Sequence, residues 1–127
     1  MRLVIFEENP AIRSGLQNFL NSLKLWAASA QTGEIGLHIV AMRLPDVILV
    51  SDSLPDMTAA DVIAALRAEP AHRSIPVIVM HSGNVPPHIE AVALLERPVS
   101  RRQLVRAILP YANSDIAGSL ERGVFPD

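Results

Sequence analysis

Short, unbroken runs of apolar residues constrain the fold of this 127-residue chain more than any other feature. Residues 3–6, 47–50 and 75–80 form such runs, and the last two are rich in β-branched side chains. Apolar runs that do not alternate with polar residues are typical of strands buried on both faces of a parallel sheet. Two weaker runs, residues 26–30 and 91–95, predict a second strand and a short edge strand.

Helical periodicity fills the segments between these runs. Apolar residues three and four apart form a stripe on each of the first two predicted helices: Ile12, Leu16, Phe19 and Leu23, then Leu37, Val40 and Leu44. A third helix is predicted over residues 59–68 and a last one after Ser100. Capping-box pairs, Thr58 with Asp61 and Ser100 with Gln103, mark where these two helices begin. Strands that alternate with helices predict a doubly wound α/β sheet.

Length and composition limit the classes of function. The length suits one domain, which we expect to cover residues 1–112, with residues 113–127 as a flexible polar tail. The net charge of −2 predicts binding neither to nucleic acid nor to anionic membranes, and the absence of cysteine excludes disulfides. The first apolar run is too short for a signal peptide or a membrane span. A cytoplasmic domain is therefore expected.

Polar or charged residues follow each central strand of the predicted sheet. They are Glu7 and Glu8 after the first strand, Ser51 and Asp52 after the third, His81 and Ser82 after the fourth, and Arg97 after the fifth. Ligands of open α/β sheets bind beyond these carboxyl ends, so a pocket is predicted there. Clustered carboxylates raise one another's pKa, and bidentate hydrogen bonds from Arg97 would relieve that repulsion.

Four segments resemble the receiver domain of bacterial two-component response regulators, over roughly residues 2–112. They are VIFEENP, PDVILVSDSLPDM, IPVIVMHSG and ERPVSRRQL, in the family's order and approximate spacing. The resemblance implies a five-stranded parallel sheet with strand order 2-1-3-4-5. It also implies that a histidine kinase transfers a phosphoryl group to an aspartate, beside a Mg²⁺ ion held by neighbouring acids.

The acceptor position of the family falls on Ser51. In the family, the aspartate stands four residues before the proline of the next turn, and counting back from Pro55 gives Ser51, with Asp52 one residue late. Successive side chains of a strand point to opposite faces, so Ser51 is expected to face the pocket and Asp52 to turn sideways. A serine hydroxyl cannot form an acyl phosphate, and it removes one anionic ligand of Mg²⁺.

Other signature positions depart from the family as well. His81 replaces the switch threonine or serine, and we interpret its side chain as filling the vacated phosphate site. Arg97 replaces the family's lysine, although Pro98 beside it remains, and a planar guanidinium is not equivalent to an ammonium. The acidic pair is present only as Glu7 and Glu8, each one methylene longer than aspartate.

The segment between the fourth and fifth strands is shorter than is usual in the family and contains Pro86 and Pro87. The fourth helix of the family is therefore predicted to be shortened or absent. Together with the altered acceptor, switch and lysine positions, this indicates a degenerate receiver, or pseudo-receiver.

These features favour a non-enzymatic module that binds a histidine kinase, another regulator or a second copy of itself. Arg101, Arg102 and Arg106 on the last predicted helix form a candidate surface for an acidic partner. No cofactor is expected, although Mg²⁺ is conceivable. Two alternatives stay open: phosphorylation of Asp52 brought inward by a bulge, and binding of a metal or small ligand by Glu7, Glu8 and Asp52.

Overall fold

Five parallel strands form one sheet with the order β2-β1-β3-β4-β5. The strands are β1 (Arg2–Phe6), β2 (Trp26–Ala30), β3 (Val47–Ser51), β4 (Val77–His81) and β5 (Ala93–Glu96). The computed structural model describes residues 1–86, 88–112 and 117–118. The fold class, the number of strands and their order are as predicted from the sequence and its resemblance.

Four helices connect and follow the strands. They are α1 (Pro10–Ser22), α2 (Gly33–Arg43), α3 (Ala59–Ala68) and α4 (Arg101–Ile108), and a 3₁₀ turn at Leu109–Tyr111 follows α4. Both predicted capping boxes are present, Thr58 with Asp61 and Ser100 with Gln103. These reciprocal hydrogen bonds satisfy amide groups that a helix leaves unpaired at its start.

The sheet is packed on both faces. One apolar layer, which includes Leu3, Ile5 and Leu49, lies against α1 and α4, and the opposite layer, which includes Val4 and Phe6, lies against α2 and α3. Every residue of β3 is buried. This two-sided burial is why the central strands are continuous apolar runs and do not alternate.

No helix lies between β4 and β5 in the described residues 82–86 and 88–92. This confirms the prediction that the fourth helix of the family pattern is shortened or absent. No helix of these described residues packs against the face of β5 that carries Leu94. The side chains of Val92 and Leu94 are therefore about half exposed. The sheet therefore has an apolar surface where the family pattern would place a helix.

The predicted tail, residues 113–127, lies outside the described residues apart from 117–118, whose backbone is helical. The described helices include none that is both long and apolar enough to cross a membrane.

The close approach of α2 to β1 depends on Gly36, because a Cβ atom at this position would collide with the ring of Phe6. We expect Gly36→Ala to lower the free energy of unfolding by about 2 kcal/mol, since overpacking forces buried groups apart. A Cβ atom added at Gly15 in α1 would meet no neighbouring atom within 4 Å. Gly15→Ala is therefore the matched control, expected to stabilise the protein by about 0.5 to 1 kcal/mol. Urea denaturation measures both; equal effects of the two substitutions would contradict the close approach.

Candidate functional site

The carboxyl ends of four strands bring polar side chains into one hydrogen-bonded group, which we call the rim cluster. Its members are Glu7 and Glu8 after β1, Ser51 and Asp52 at the end of β3, Ser82 after β4 and Arg97 after β5. Parallel strands end at the same edge of a sheet, so residues far apart in the sequence meet there.

Arg97 lies at the centre of the rim cluster. Its Nη1 donates to Oδ1 of Asp52 at 2.8 Å and to the hydroxyl of Ser82 at 3.1 Å. Its Nη2 donates to Oε1 of Glu7 at 3.3 Å and to the hydroxyl of Ser51. The side chain is only 19% exposed, so both ion pairs are shielded from water. One guanidinium therefore connects the ends of β1, β3 and β4 to β5.

The side chains of Ser51 and Asp52 point in different directions at the end of β3. The pairing of β3 with β4 runs without a break from Ile48 to Ser51, which lies opposite Met80. Ser51 is fully buried, and its hydroxyl lies 3.5 Å from Oε2 of Glu8. Asp52 reaches across to β4 instead, where its Oδ2 accepts from the amide of Ser82 at 3.2 Å. The serine thus faces the acidic pair, and the aspartate lies beside it.

The two glutamates occupy unequal environments. Glu7 is fully buried, and its Oε2 accepts from the amide of Asn9 at 3.0 Å. Burial raises the pKa of Glu7 above its ordinary value of 4.5, and the neighbouring Glu8 carboxyl raises it further. Burial also opposes ionisation of Glu8, but hydrogen bonds with Glu7 and Ser53 outweigh it and hold the pKa of Glu8 below 4.5. Glu8 therefore ionises before Glu7.

Two residues outside the predicted site support these acids. Nη1 of Arg13 donates to the carbonyl oxygens of Glu7 and Glu8, at 3.0 and 3.2 Å. The hydroxyl of Ser53 donates to Oε1 of Glu8 at 2.8 Å. Long side chains in a helix point back toward its N-terminus, and Arg13 lies in the first turns of α1. The contact of Arg13 with the residues before α1 could therefore have been predicted from the sequence. The position of Ser53 depends on the turn after β3 and could not.

His81 lies next to the rim cluster. Its Nδ1 accepts from the amide of Gly83 at 3.1 Å. The imidazole and Asp52 line a cavity of about 200 Å³ whose other walls come from α3 and from the segment after β4. The guanidinium of Arg97, and not this imidazole, makes the hydrogen bonds to Glu7, Ser51 and Asp52.

Pro98 follows Arg97 through a cis peptide bond and precedes Ser100, the residue that caps α4. Arg97 is thus placed between the end of β5 and the start of α4.

In the part of the chain that the structure describes, no group of three or more histidine, aspartate or glutamate side chains has a geometry that could hold a metal ion.

The predicted partner surface lies on the exposed side of α4, where Arg101, Arg102 and Arg106 are all solvent-exposed. The guanidinium of Arg101 lies over the ring of Phe19 in α1, 5.1 Å from its centre. Arg101 therefore also packs within its own chain, through a cation–π contact. A role of this surface in partner binding stays a prediction.

The strand order and the acidic rim are typical of receiver domains, a class of doubly wound protein. The family model of the response regulator receiver domain matches residues 3–109. The chain belongs to this family, as the resemblance of its motifs predicted, and its place is therefore in two-component signalling.

Curated relatives and solved structures agree with this assignment. The regulatory protein LuxO of Vibrio vulnificus is 30% identical over 87 residues, which are 68% of this chain and 19% of LuxO. The chain thus spans about a fifth of the length of the curated relatives it matches.

Solved receiver structures share the fold. The chemotaxis protein CheY4 of Vibrio cholerae superposes with a TM-score of 0.80 at 17% identity, covering 87% of this chain and 98% of CheY4. The receiver domain of a sensor histidine kinase from Pseudomonas aeruginosa, with a magnesium ion in its active-site cleft, gives 0.79 at 19% identity, covering 87% and 95%. At such identities the likeness shows the fold alone.

The raised pKa of Glu7 predicts a specific pH dependence of stability. The folded state favours protonated Glu7, so its contribution is fully present below pH 4.5 and is lost as pH rises through the raised pKa. Glu8 acts in the opposite direction, and its contribution is lost as pH falls below 4.5. Glu7→Gln should therefore reduce the decline in the free energy of unfolding above pH 4.5.

Urea denaturation between pH 4.5 and 8 measures this slope, with Glu34→Gln as the control because Glu34 is an exposed carboxylate of α2. The slope is diagnostic, since Glu7→Gln also removes the ion pair with Arg97 and shifts the whole curve. A slope equal to that of the wild type would contradict the assignment.

Proposed function

We propose that this receiver domain acts in two-component signalling as an interaction module that does not depend on phosphorylation of an aspartate. The observation that carries the proposal is the environment of Ser51. A buried hydroxyl, bonded to Arg97, stands where the family has its phosphoaccepting carboxylate. An ester of serine lacks the reactivity of an acyl phosphate, and exchange with phosphohistidine needs that reactivity.

The contacts of Asp52 support the same proposal. Its Oδ1 is bonded to Arg97, its Oδ2 accepts from the amide of Ser82, and the register of β3 contains no bulge over residues 48–51. Attack on a phosphodonor would require a carboxylate oxygen to leave one of these hydrogen bonds. Breaking a shielded, charge-assisted hydrogen bond costs about 1.5 to 3 kcal/mol before any chemistry begins.

Phosphorylation of Asp52 is the second candidate, and one observation favours it. The Asp52 side chain is 26% exposed and lines the cavity of about 200 Å³, so a small phosphodonor can reach it. Ser51 is fully buried by comparison. The two candidates therefore predict different residues, and different outcomes, in a labelling experiment.

The proposed partners are signalling proteins of the same system: a histidine kinase, another regulator or a second copy of this chain. The exposed arginines of α4 are the proposed contact surface, which suits an acidic partner. The module is proposed to be non-enzymatic and to act in the cytoplasm.

Incubation with Mg²⁺ and acetyl phosphate, followed by intact-mass spectrometry, tests the proposal. The wild type should gain no phosphoryl group, because Ser51 replaces the acceptor and Arg97 holds Asp52. Ser51→Asp alone should also stay unlabelled, since Arg97 would pair with the new carboxylate. The double variant Ser51→Asp/Arg97→Lys should acquire a base-labile adduct, because it restores the family's residues at both positions.

Asp52→Ala is the control for the alternative acceptor. Labelling of the wild type that disappears in Asp52→Ala would refute the proposal and identify Asp52 as the acceptor. Labelling of Ser51→Asp alone would show that Arg97 does not block the pocket.

A further inference from the structure

The guanidinium of Arg97 lies among three carboxylates, a position in which the family would hold a divalent cation. Arg97 contacts Glu7 and Asp52 directly, and Glu8 joins the same cluster through Ser51. The cation therefore bridges β1 and β3. It is part of the chain, so dilution cannot remove it.

The carboxylate oxygens of the rim cluster are already bonded to protein donors. Those of Glu7 accept from Arg97 and the amide of Asn9, and those of Asp52 accept from Arg97 and the amide of Ser82. The remaining two, on Glu8, accept from Ser53 at 2.8 Å and from Ser51 at 3.5 Å. A divalent cation would have to displace several of these donors at once.

The residues present therefore do not fit Mg²⁺. This ion requires near-octahedral oxygen ligands at about 2.1 Å and keeps several waters. Ser51 supplies a neutral hydroxyl in place of a carboxylate, and that hydroxyl accepts a hydrogen bond from Arg97. A fixed positive charge at the centre also repels a second cation. The acids and the guanidinium satisfy each other instead.

We propose that Arg97 is a built-in substitute for the divalent cation of the family, and that its guanidinium, and not a metal ion, joins Glu7 after β1 to Asp52 at the end of β3. The inference deepens the proposed function, since it explains how the strand ends stay joined without a cofactor. It makes the folded domain independent of divalent metal. It also predicts that a metal ion cannot take the place of the guanidinium once the guanidinium is lost.

Thermal unfolding with EDTA or with increasing Mn²⁺ tests this inference, because a ligand that binds only the native state raises the midpoint. The wild-type midpoint should not change with Mn²⁺. Arg97→Gln should lower the midpoint in EDTA by about 5 °C or more, since it leaves buried acids without their cation. Millimolar Mn²⁺ should not recover that loss, because Glu7, Glu8 and Asp52 do not have a geometry that could hold a metal ion.

Arg13→Gln is the matched control. Arg13 is a second guanidinium beside the same acids, but it bonds carbonyl oxygens and not carboxylates. Its substitution should lower the midpoint by less than Arg97→Gln does. A loss as large as that of Arg97→Gln would overturn the specific role of Arg97.

Arg97→Lys keeps the test decisive if Arg97→Gln does not fold. An ammonium retains one positive charge but cannot bond Glu7 and Asp52 as a planar fork, so this variant should fold with an intermediate midpoint. It should also bind no Mn²⁺, as measured by electron paramagnetic resonance. Mn²⁺ binding by the folded Arg97→Lys protein, or by the wild type, would overturn the inference. Neither result depends on phosphodonor labelling, so the proposed function fails or stands separately.

Discussion

The guanidinium of Arg97 joins the ends of four parallel strands, and the polar edge of the sheet depends on its charge. Burying the ionised form of Glu7 is unfavourable unless a hydrogen-bonded cation accompanies it. A guanidinium meets this need because its donors lie in a rigid plane and reach Glu7 and Asp52 together. A lysine ammonium is a compact charge. It could contact one of these two carboxylates closely, or both of them less favourably.

The departures of this chain from the family are physically consistent with one another. An aspartate at position 51 would add a fourth carboxylate to a cluster that contains one guanidinium. Ser51 removes that charge, and its hydroxyl still accepts from Arg97 and contacts Ser53 at 2.9 Å. The serine thus removes the phosphoacceptor and lowers the negative charge that the Arg97 guanidinium has to offset.

Periodicity in the sequence reveals those parts of the structure that local rules control. Strands buried on both faces and helices begun by capping boxes were predicted correctly, because burial and amide satisfaction act over a few residues. The start of β4 was placed two residues early, at Ile75, since Pro76 is apolar but cannot donate to a strand ladder.

The rim cluster was only partly visible in the sequence. The candidate residues followed from the strand ends, and a pairing of Arg97 with the acids was predicted although Arg97 and Glu7 are 90 residues apart. Which of their atoms meet depends on side-chain rotamers. Periodicity carries no information on such rotamers. The supporting contact of Ser53 was missed for this reason, whereas that of Arg13 could have been inferred from its place in α1. That the His81 side chain fills the vacated phosphate site stays a prediction.

A cluster that contains its own cation has consequences for how such a domain carries information. A ligand shifts a conformational equilibrium only if it binds one state more tightly than the other. In a phosphorylated receiver, the exchangeable phosphoryl group and metal ion provide that difference at the strand ends. Here the positive charge that joins the strand ends belongs to the side chain of Arg97, the residue after β5. Under the proposed function it therefore cannot be exchanged. Any regulation of this domain then has to act through its outer surfaces, by competition between partners or through their concentrations.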